Sequence, residues 1–406
     1  MDAAAAFDPW SPEFVADPYP AYAALREAGR AHWYGPTRQW LVPHHEDVSA
    51  LLRDRRLGRT YTHRFGHEEF GRTAPDPLHE PFHTLNDHGL LDLEGADHTR
   101  IRRLVSKAFT PRTVEKLAPT VRELAAGLVG ELVAAGGGDL QAAVAEPLPV
   151  AVIAAMLGVP EEDEERAMLR PWSAAICGMF ELNPSEETAR RAVRASIEFS
   201  GYLRELIARR RSDPGDDLVS ALIGVEELTE QEMISTCVLL LNAGHEATVN
   251  TATGGVWTLL RHGRWDAALA SALSSDSEKL STAVDELLRY DTPLQMFERW
   301  VLDDIEIGGT VVPRGAEVAL LFGSANRDPA RFGPTADELD LARADNPHVS
   351  FGAGIHYCLG APLARLELAS VLGELLRQAP GMRLAADPVR KPGYVIRGFE
   401  SLLVEV

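Results

Sequence analysis

"FGAGIHYCLGAPLARLEL" (residues 351–368) sets one cysteine, Cys358, between a glycine-rich run and an amphipathic segment. Leu359, Leu363 and Leu366 recur after it at helical spacing, so the stretch reads as a turn feeding a helix. A cysteine just ahead of a helix start faces unpaired backbone N–H groups and the positive end of the helix dipole. Both favour thiolate over thiol. Gly352, Gly354 and Gly360 strip side chains from either side of the sulfur, as a large flat group lying against the backbone requires. Cys177 and Cys237 lack such surroundings and read as inert core residues.

A second stretch, "LLLNAGHEATVN" (239–250), begins like the buried face of a helix. It then runs Asn242, Gly244, His245, Glu246 and Thr248 through what should be its middle. Glycine costs about 1 kcal/mol against alanine in a helix interior, and a buried carboxylate costs several unless paired or solvated. Thr229 followed by Glu232 is a capping-box pattern, and Gly263 is a stop signal. Together they predict a helix of more than thirty residues, about 50 Å long. Its polar interruption falls near the middle.

The 406 residues, 45% hydrophobic, can bury a large core. Sixty acidic against forty basic residues leave a net charge of -20, which argues against general nucleic-acid binding. Three scattered cysteines make no disulfide framework and point to a reducing compartment. "MDAAAAFDPW" lacks a basic n-region and an apolar run, and no stretch reaches the length of an apolar membrane span. A cytoplasmic protein without membrane or nucleic-acid partners is expected.

Helical periodicity dominates from about residue 98 to 290. "AAGGGD" (134–139) and "RRRSDPGDD" (209–217) read as interhelical turns, and the acidic "EEDEER" (161–166) as a solvated helix start. Strand-like pieces are few: "AHWY", "QWLV" and hairpins within 299–321 around Gly308-Gly309 and Pro313-Arg314-Gly315. The expected fold is mainly α with a small β-rich lobe. It forms one domain over 1–406, with the lobe drawn from about 30–45, 295–322 and 385–406.

Phe351, Gly352, Gly354, His356, Cys358 and Gly360 together resemble the cysteine loop of the cytochrome P-450 family, haem-thiolate monooxygenases of the soluble bacterial type. In such proteins a cysteine thiolate holds haem iron and favours O–O cleavage. The resemblance implies haem b with Cys358 as metal ligand, a long central helix over the haem, and Phe351 and Gly360 beside the sulfur. It also implies that Glu286 and Arg289 of "DELLRY", with Arg343, form a structural triad. His98 and Arg102, four apart on the basic segment 95–112, match the family's propionate-binding pair, and Arg299 and His356 match its other propionate contacts. Arg103, Lys107, Arg112 and Arg365 would add a positive patch for an acidic ferredoxin, served by a ferredoxin reductase.

The implied reaction takes O2, two electrons and two protons to hydroxylate or epoxidise a small molecule. In the family the central helix carries a small residue, Gly, a variable residue, an acid and Thr; here it reads Ala243, Gly244, His245, Glu246, Ala247. The acid is present and the threonine position is alanine. Thr248 bears a hydroxyl but sits about 100° further round a helix. Either water, a substrate hydroxyl or Thr248 replaces the missing relay, or the reaction does not use that relay. Peroxide-driven or oxidative-coupling chemistry, or a non-catalytic haem-thiolate sensor, are the alternatives.

Pocket candidates are Phe82, Phe180, Leu240, Ala243, Leu294, Gln295 and Met296. The long aromatic segment 60–95 suggests an apolar or aromatic substrate; the Ala-, Arg- and Gly-rich composition looks actinobacterial, and for such a chain the family resemblance implies a secondary-metabolite substrate.

Overall fold

Thr229 starts the long helix as its spacing predicts. The Thr229 N–H donates to Glu232 Oε2 (2.9 Å), and the Glu232 N–H donates back to Thr229 Oγ1 (3.2 Å), so two otherwise orphaned donors are satisfied. The helix runs unbroken over Glu230–Arg261, 32 residues. Gly263, at φ +61°, then turns the chain while the Arg264 N–H reaches back to the Leu259 carbonyl (2.8 Å). These features come from a computed structural model that describes residues 6–162, 164–272 and 277–406. The first five residues of the stretch read for a leader, and Asp163 of the acidic run, lie outside the described residues.

The chain gathers into two compact units, and the long helix belongs to both. One comprises Met1–Gly58, Arg122–Pro147 and Ala247–Val406; the other comprises Arg59–Val121 and Leu148–Glu246.

The first unit holds the strands: β1 (His32–Tyr34), β2 (Gln39–Val42), β3 (Leu57–Gly58), β4 (Gly137–Asp139), β5 (Phe297–Val301), β6 (Ile305–Ile307), β7 (Thr310–Val312), β8 (Glu317–Leu320), β9 (Arg383–Leu384) and β10 (Leu403–Glu405). A five-stranded sheet has the order β1-β2-β8-β5-β3, with only β2 and β8 parallel. Its buried face joins Val42, Leu57, Val301, Val318 and Leu320 to Phe322 in one apolar core. β6 and β7 close through Gly308 and Gly309, whose φ values of +56° and +85° suit a two-residue hairpin loop.

The "AAGGGD" reading needs correction. Instead of a free turn, Gly137–Asp139 pairs with β10 at the other end of the chain. A Cβ on Gly137 would lie 2.2 Å from the Val404 carbonyl oxygen, so the glycine exists for that long-range approach. The acidic run precedes its helix as a turn and a 3-10 helix (Glu164–Met168) rather than starting it.

A buried ion cluster ties this unit together. The Arg289 guanidinium donates through Nε and Nη2 to the two carboxylate oxygens of Glu286, each at 2.8 Å, and both residues are fully buried. Arg343 Nε approaches Glu286 Oε2 at 3.2 Å, and the Asp340 N–H donates to Oε1 at 2.8 Å. The remaining Arg289 donors go to the carbonyls of Asn326, Ala336 and Glu338. Every polar atom of the pair is thereby engaged, which buried charges require.

The second unit is helical among its described residues. Helices Leu169–Cys177 and Glu186–Ser212 pack through a stacked Trp172–Phe199 pair (5.2 Å), with Trp172 Nε1 donating to Glu198. Glu232 also takes an ion pair from Arg100 on the basic helix Gly95–Ala108.

Glu286→Gln leaves the buried Arg289 and the half-buried Arg343 without their carboxylate. Chemical unfolding is expected to show a loss of about 3–5 kcal/mol, and a change below about 1 kcal/mol would contradict the structural role given to the cluster.

Candidate active site

The cysteine loop is built from the ion cluster outward, all within the first unit. Asn326, whose carbonyl accepts from Arg289, receives the Val349 N–H on its Oδ1 (2.8 Å) and donates through Nδ2 to Ser350 Oγ (2.9 Å). Phe351 follows, and its carbonyl accepts the Cys358 N–H at 2.9 Å. Gly352 and Gly354 adopt φ +67° and +70°, which an L side chain rarely tolerates. Gly354 has a second reason to be glycine, which the sequence reading missed: a Cβ there would meet the Leu52 carbonyl oxygen at 2.4 Å.

Gly360 caps the helix Ala361–Gln378, with Pro362 in its first turn, so Cys358 sits just ahead of a helix N-terminus. Cys358 is half-buried, whereas Cys177 and Cys237 are buried. Burial pushes the Cys237 thiol up to about 12, which makes it inert. An accessible cysteine at a helix start, flanked by glycines, fits a metal-binding thiolate and a flat group beside it.

Arg365 stacks on the Phe351 ring (4.5 Å) and donates to Asp285 Oδ1 (2.7 Å). Its charge is thus committed inside the unit, which corrects its assignment to an open basic patch. Burial alone would raise the Asp285 carboxyl, but hydrogen bonds from His348 and Arg365 outweigh it and hold the group below its ordinary value.

The cations expected around the propionates occupy both units. In the second, His98 is buried and Arg102 half-buried one turn later on the basic helix; Arg103, Lys107 and Arg112 are exposed. In the first, Arg299 lies buried on β5 with its guanidinium 5.1 Å from the Phe297 ring. His356 is half-buried in the 3-10 turn Gly354–His356.

The middle of the long helix is open along one stripe. Ala243 is exposed and Leu240 and Ala247 are half-buried, at helical spacing, while Thr248 and Asn250 are buried. Glu246 is half-buried and His245 buried. Thr248 therefore faces away from the stripe, and the helix shows no distortion to bring it round. Thr251 Oγ1 donates to the Ala247 carbonyl (2.6 Å). Gly244 is explained by packing: a Cβ there would lie 3.2 Å from Ile153 Cδ1, so the glycine admits the helix Pro147–Leu157.

Two of the pocket candidates are core residues. Gln295 is fully buried, accepting from Tyr22 Oη (2.8 Å) and donating to the Thr292 carbonyl, and Met296 is buried beside it. Leu294 bridges to Ile396. Phe82 and Phe180 are neighbours, with ring centroids 6.4 Å apart. One polar residue escaped notice, Glu367, between Leu366 and Leu368, and Asn242 was read only as part of the long helix's polar interruption.

Comparison with known proteins places these features. Residues 60–378 match the profile described as Cytochrome P450. The chain is 38% identical to "Cytochrome P450 monooxygenase PikC" of Streptomyces venezuelae, over 96% of this chain and 91% of that protein. It is 38% identical to "Mycinamicin IV hydroxylase/epoxidase" of Micromonospora griseorubida, over 88% and 87%. The crystal structure of P450BioI in complex with hexadec-9Z-enoic acid ligated acyl carrier protein superposes with a TM-score of 0.89 at 34% identity, covering 98% and 100% of the two chains. The chain belongs to the cytochrome P450 family and is a P450 monooxygenase of the bacterial type. Its cofactor is haem with a cysteine thiolate as axial ligand. Among the described residues no helix is long and apolar enough to cross a membrane.

Glu367 yields a pH prediction. It is buried, its Oε1 lacks a hydrogen-bond partner, and burial pushes its carboxyl up to about 8. An unfolded glutamate titrates near ~4.3, so the folded state holds this proton to higher pH. The stability it allows is complete below about pH 4 and is lost as pH rises towards 8. Relative to Glu367→Gln, the wild type should lose on the order of 3 kcal/mol between about pH 5 and pH 8. Unfolding curves whose difference does not change with pH would contradict this.

Proposed function

We propose that this chain hydroxylates or epoxidises a small, largely apolar secondary metabolite, using electrons from a separate ferredoxin and its reductase. The observation that carries the reading is Glu246, a half-buried acid beside the open stripe of Leu240, Ala243 and Ala247 in an otherwise largely buried helix. A haem protein that only senses or carries has no use for an acid there.

Haem, when bound, supplies the activation of O2. Cys358 is the residue proposed to supply its thiolate, since its position ahead of a helix start favours the ionised form. His98, Arg102, Arg299 and His356 are the proposed partners of the two propionates, offering hydrogen bonds and charge to carboxylates. Phe351 and Gly360 shape the surroundings of the sulfur. Glu286, Arg289 and Arg343 hold the loop and touch no substrate.

Ala243 and Ala247 leave room along the open stripe, and Glu246 takes protons from water and passes them on. Ala247 brings no hydroxyl, and Thr248 is buried on a regular helix. The proposed relay therefore runs from Glu246 through water or a substrate hydroxyl. Exposed Arg103, Lys107 and Arg112 on an otherwise acidic protein suit an acidic ferredoxin. Three cysteines without a disulfide among the described residues suit the cytoplasm. The names of the relatives from Streptomyces venezuelae and Micromonospora griseorubida support monooxygenation and, for the latter, both hydroxylation and epoxidation.

Steady-state turnover with a ferredoxin, a reductase and NAD(P)H tests the relay. Glu246→Gln should lower kcat about 100-fold with substrate binding unchanged. Ala247→Thr should alter the fraction of NAD(P)H that ends in product. Unchanged rates in the first variant and unchanged coupling in the second would remove the proposed route.

A further inference from the structure

One guanidinium leans on the cysteine loop from the helix that follows it. Arg365 stands in the second turn of Ala361–Gln378, seven residues after Cys358. Its guanidinium lies 4.5 Å from the centroid of the Phe351 ring and hydrogen-bonds the Tyr357 side chain. Those two residues bracket the cysteine. The Phe351 carbonyl accepts the Cys358 N–H at 2.9 Å, and Tyr357 is the preceding residue in the chain. A positive charge is thus stacked on the loop where the cysteine backbone is fixed, all within the first unit.

That charge has a counter-charge which is itself shared. Asp285 Oδ1 accepts from Arg365 Nε at 2.7 Å and lies 3.4 Å from His348 Nε2. His348 in turn packs against the Phe351 ring, with centroids 5.8 Å apart. The Arg365 and Asp285 side chains are only 31% and 28% exposed, so water screens their field less than on an open surface. The stack and the carboxylate together hold the guanidinium in one plane. An aliphatic side chain would cover Phe351 equally well, so packing alone does not call for a charge here.

We infer that Arg365 is a positioning residue which, set by Asp285, tunes the one-electron reduction of the haem held by Cys358. This rests on the assignment of Cys358 above. The step adds one electron from the donor protein, with no bond formed or broken, so the site becomes more negative by one charge. A cation fixed beside the thiolate loop favours the more negative state, and an anion beside it disfavours that state. Arg365 and Asp285 therefore pull the potential in opposite directions, and the wild-type value is their balance. A purely structural clamp makes no such distinction, because losing either partner loosens the same contact.

Midpoint potentials of the substrate-free holoenzyme, measured by spectroelectrochemistry at one pH and ionic strength, test this. Arg365→Gln should lower the potential by at least about threefold in the reduction equilibrium, roughly half the 59 mV that a tenfold change represents for one electron. Asp285→Asn should raise it by a similar factor. The double variant, Arg365→Gln with Asp285→Asn, should return towards the wild type. Arg365→Lys keeps the charge but not the planar stack, and should fall between Arg365→Gln and the wild type.

Shifts of the same sign in the two single variants, or no shift in either, would overturn the inference. If Arg365→Gln does not hold haem, Asp285→Asn decides alone: a rise supports the inference, and a fall or no change overturns it. The reduced carbon monoxide spectrum is recorded for every protein. A wild type without the thiolate-ligated band would remove the cysteine assignment and this inference together. An intact band with unmoved potentials would remove only the inference.

Discussion

Glu286 and Arg289, both fully buried, are the constraint on which the candidate site depends. A carboxylate and a guanidinium withdrawn from water cost several kcal/mol each unless every donor and acceptor is met. Meeting them drags in Arg343, Asp340 and three backbone carbonyls from the segment 326–338. Asn326 then hands the order on, through Val349 and Ser350, to the loop that carries Cys358. The neighbouring Asp285 adds a second tie, receiving Arg365 from the helix that follows the cysteine. The loop is held by charges that have nowhere else to go, so the cysteine needs no rigidity of its own.

The long helix shows the opposite economy. Its ends are satisfied locally, by a reciprocal cap at Thr229 and Glu232 and a left-handed glycine at 263. Its middle is left open on one stripe and polar on others. Gly244 admits Ile153, Glu246 keeps access to solvent, and Asn242 keeps an unmet acceptor. Each would be a fault in a helix that served only packing. Together they make sense in a helix that forms one wall of a reaction space.

What could be read from the sequence was what depends on near neighbours. The helix after Cys358, the capping box, the Gly308-Gly309 hairpin and the ion-pair spacing of Glu286 and Arg289 all follow from patterns a few residues long. What escaped depends on contacts between distant segments. Gly137 looked like a turn because Glu405, with which it pairs, and the Val404 carbonyl it approaches lie far along the chain. Gly354 looked like room for a flat group, yet it also meets the Leu52 carbonyl. Gln295 looked like a pocket residue, but its amide is consumed by Tyr22 and Thr292. Asn242 was visible as part of the helix's polar interruption, but that its Oδ1 is left without a partner depends on what packs around it.

The spectrum of the dithionite-reduced protein under carbon monoxide, recorded for the wild type and for Cys358→Ser, bears most directly on the whole picture. A Soret band at the thiolate-ligated position in the wild type, and its loss in a folded Cys358→Ser protein, is the result expected from the loop built on Glu286 and Arg289. A wild type lacking that band, or a serine variant retaining it, would contradict the assignment of Cys358 and the site arranged around it.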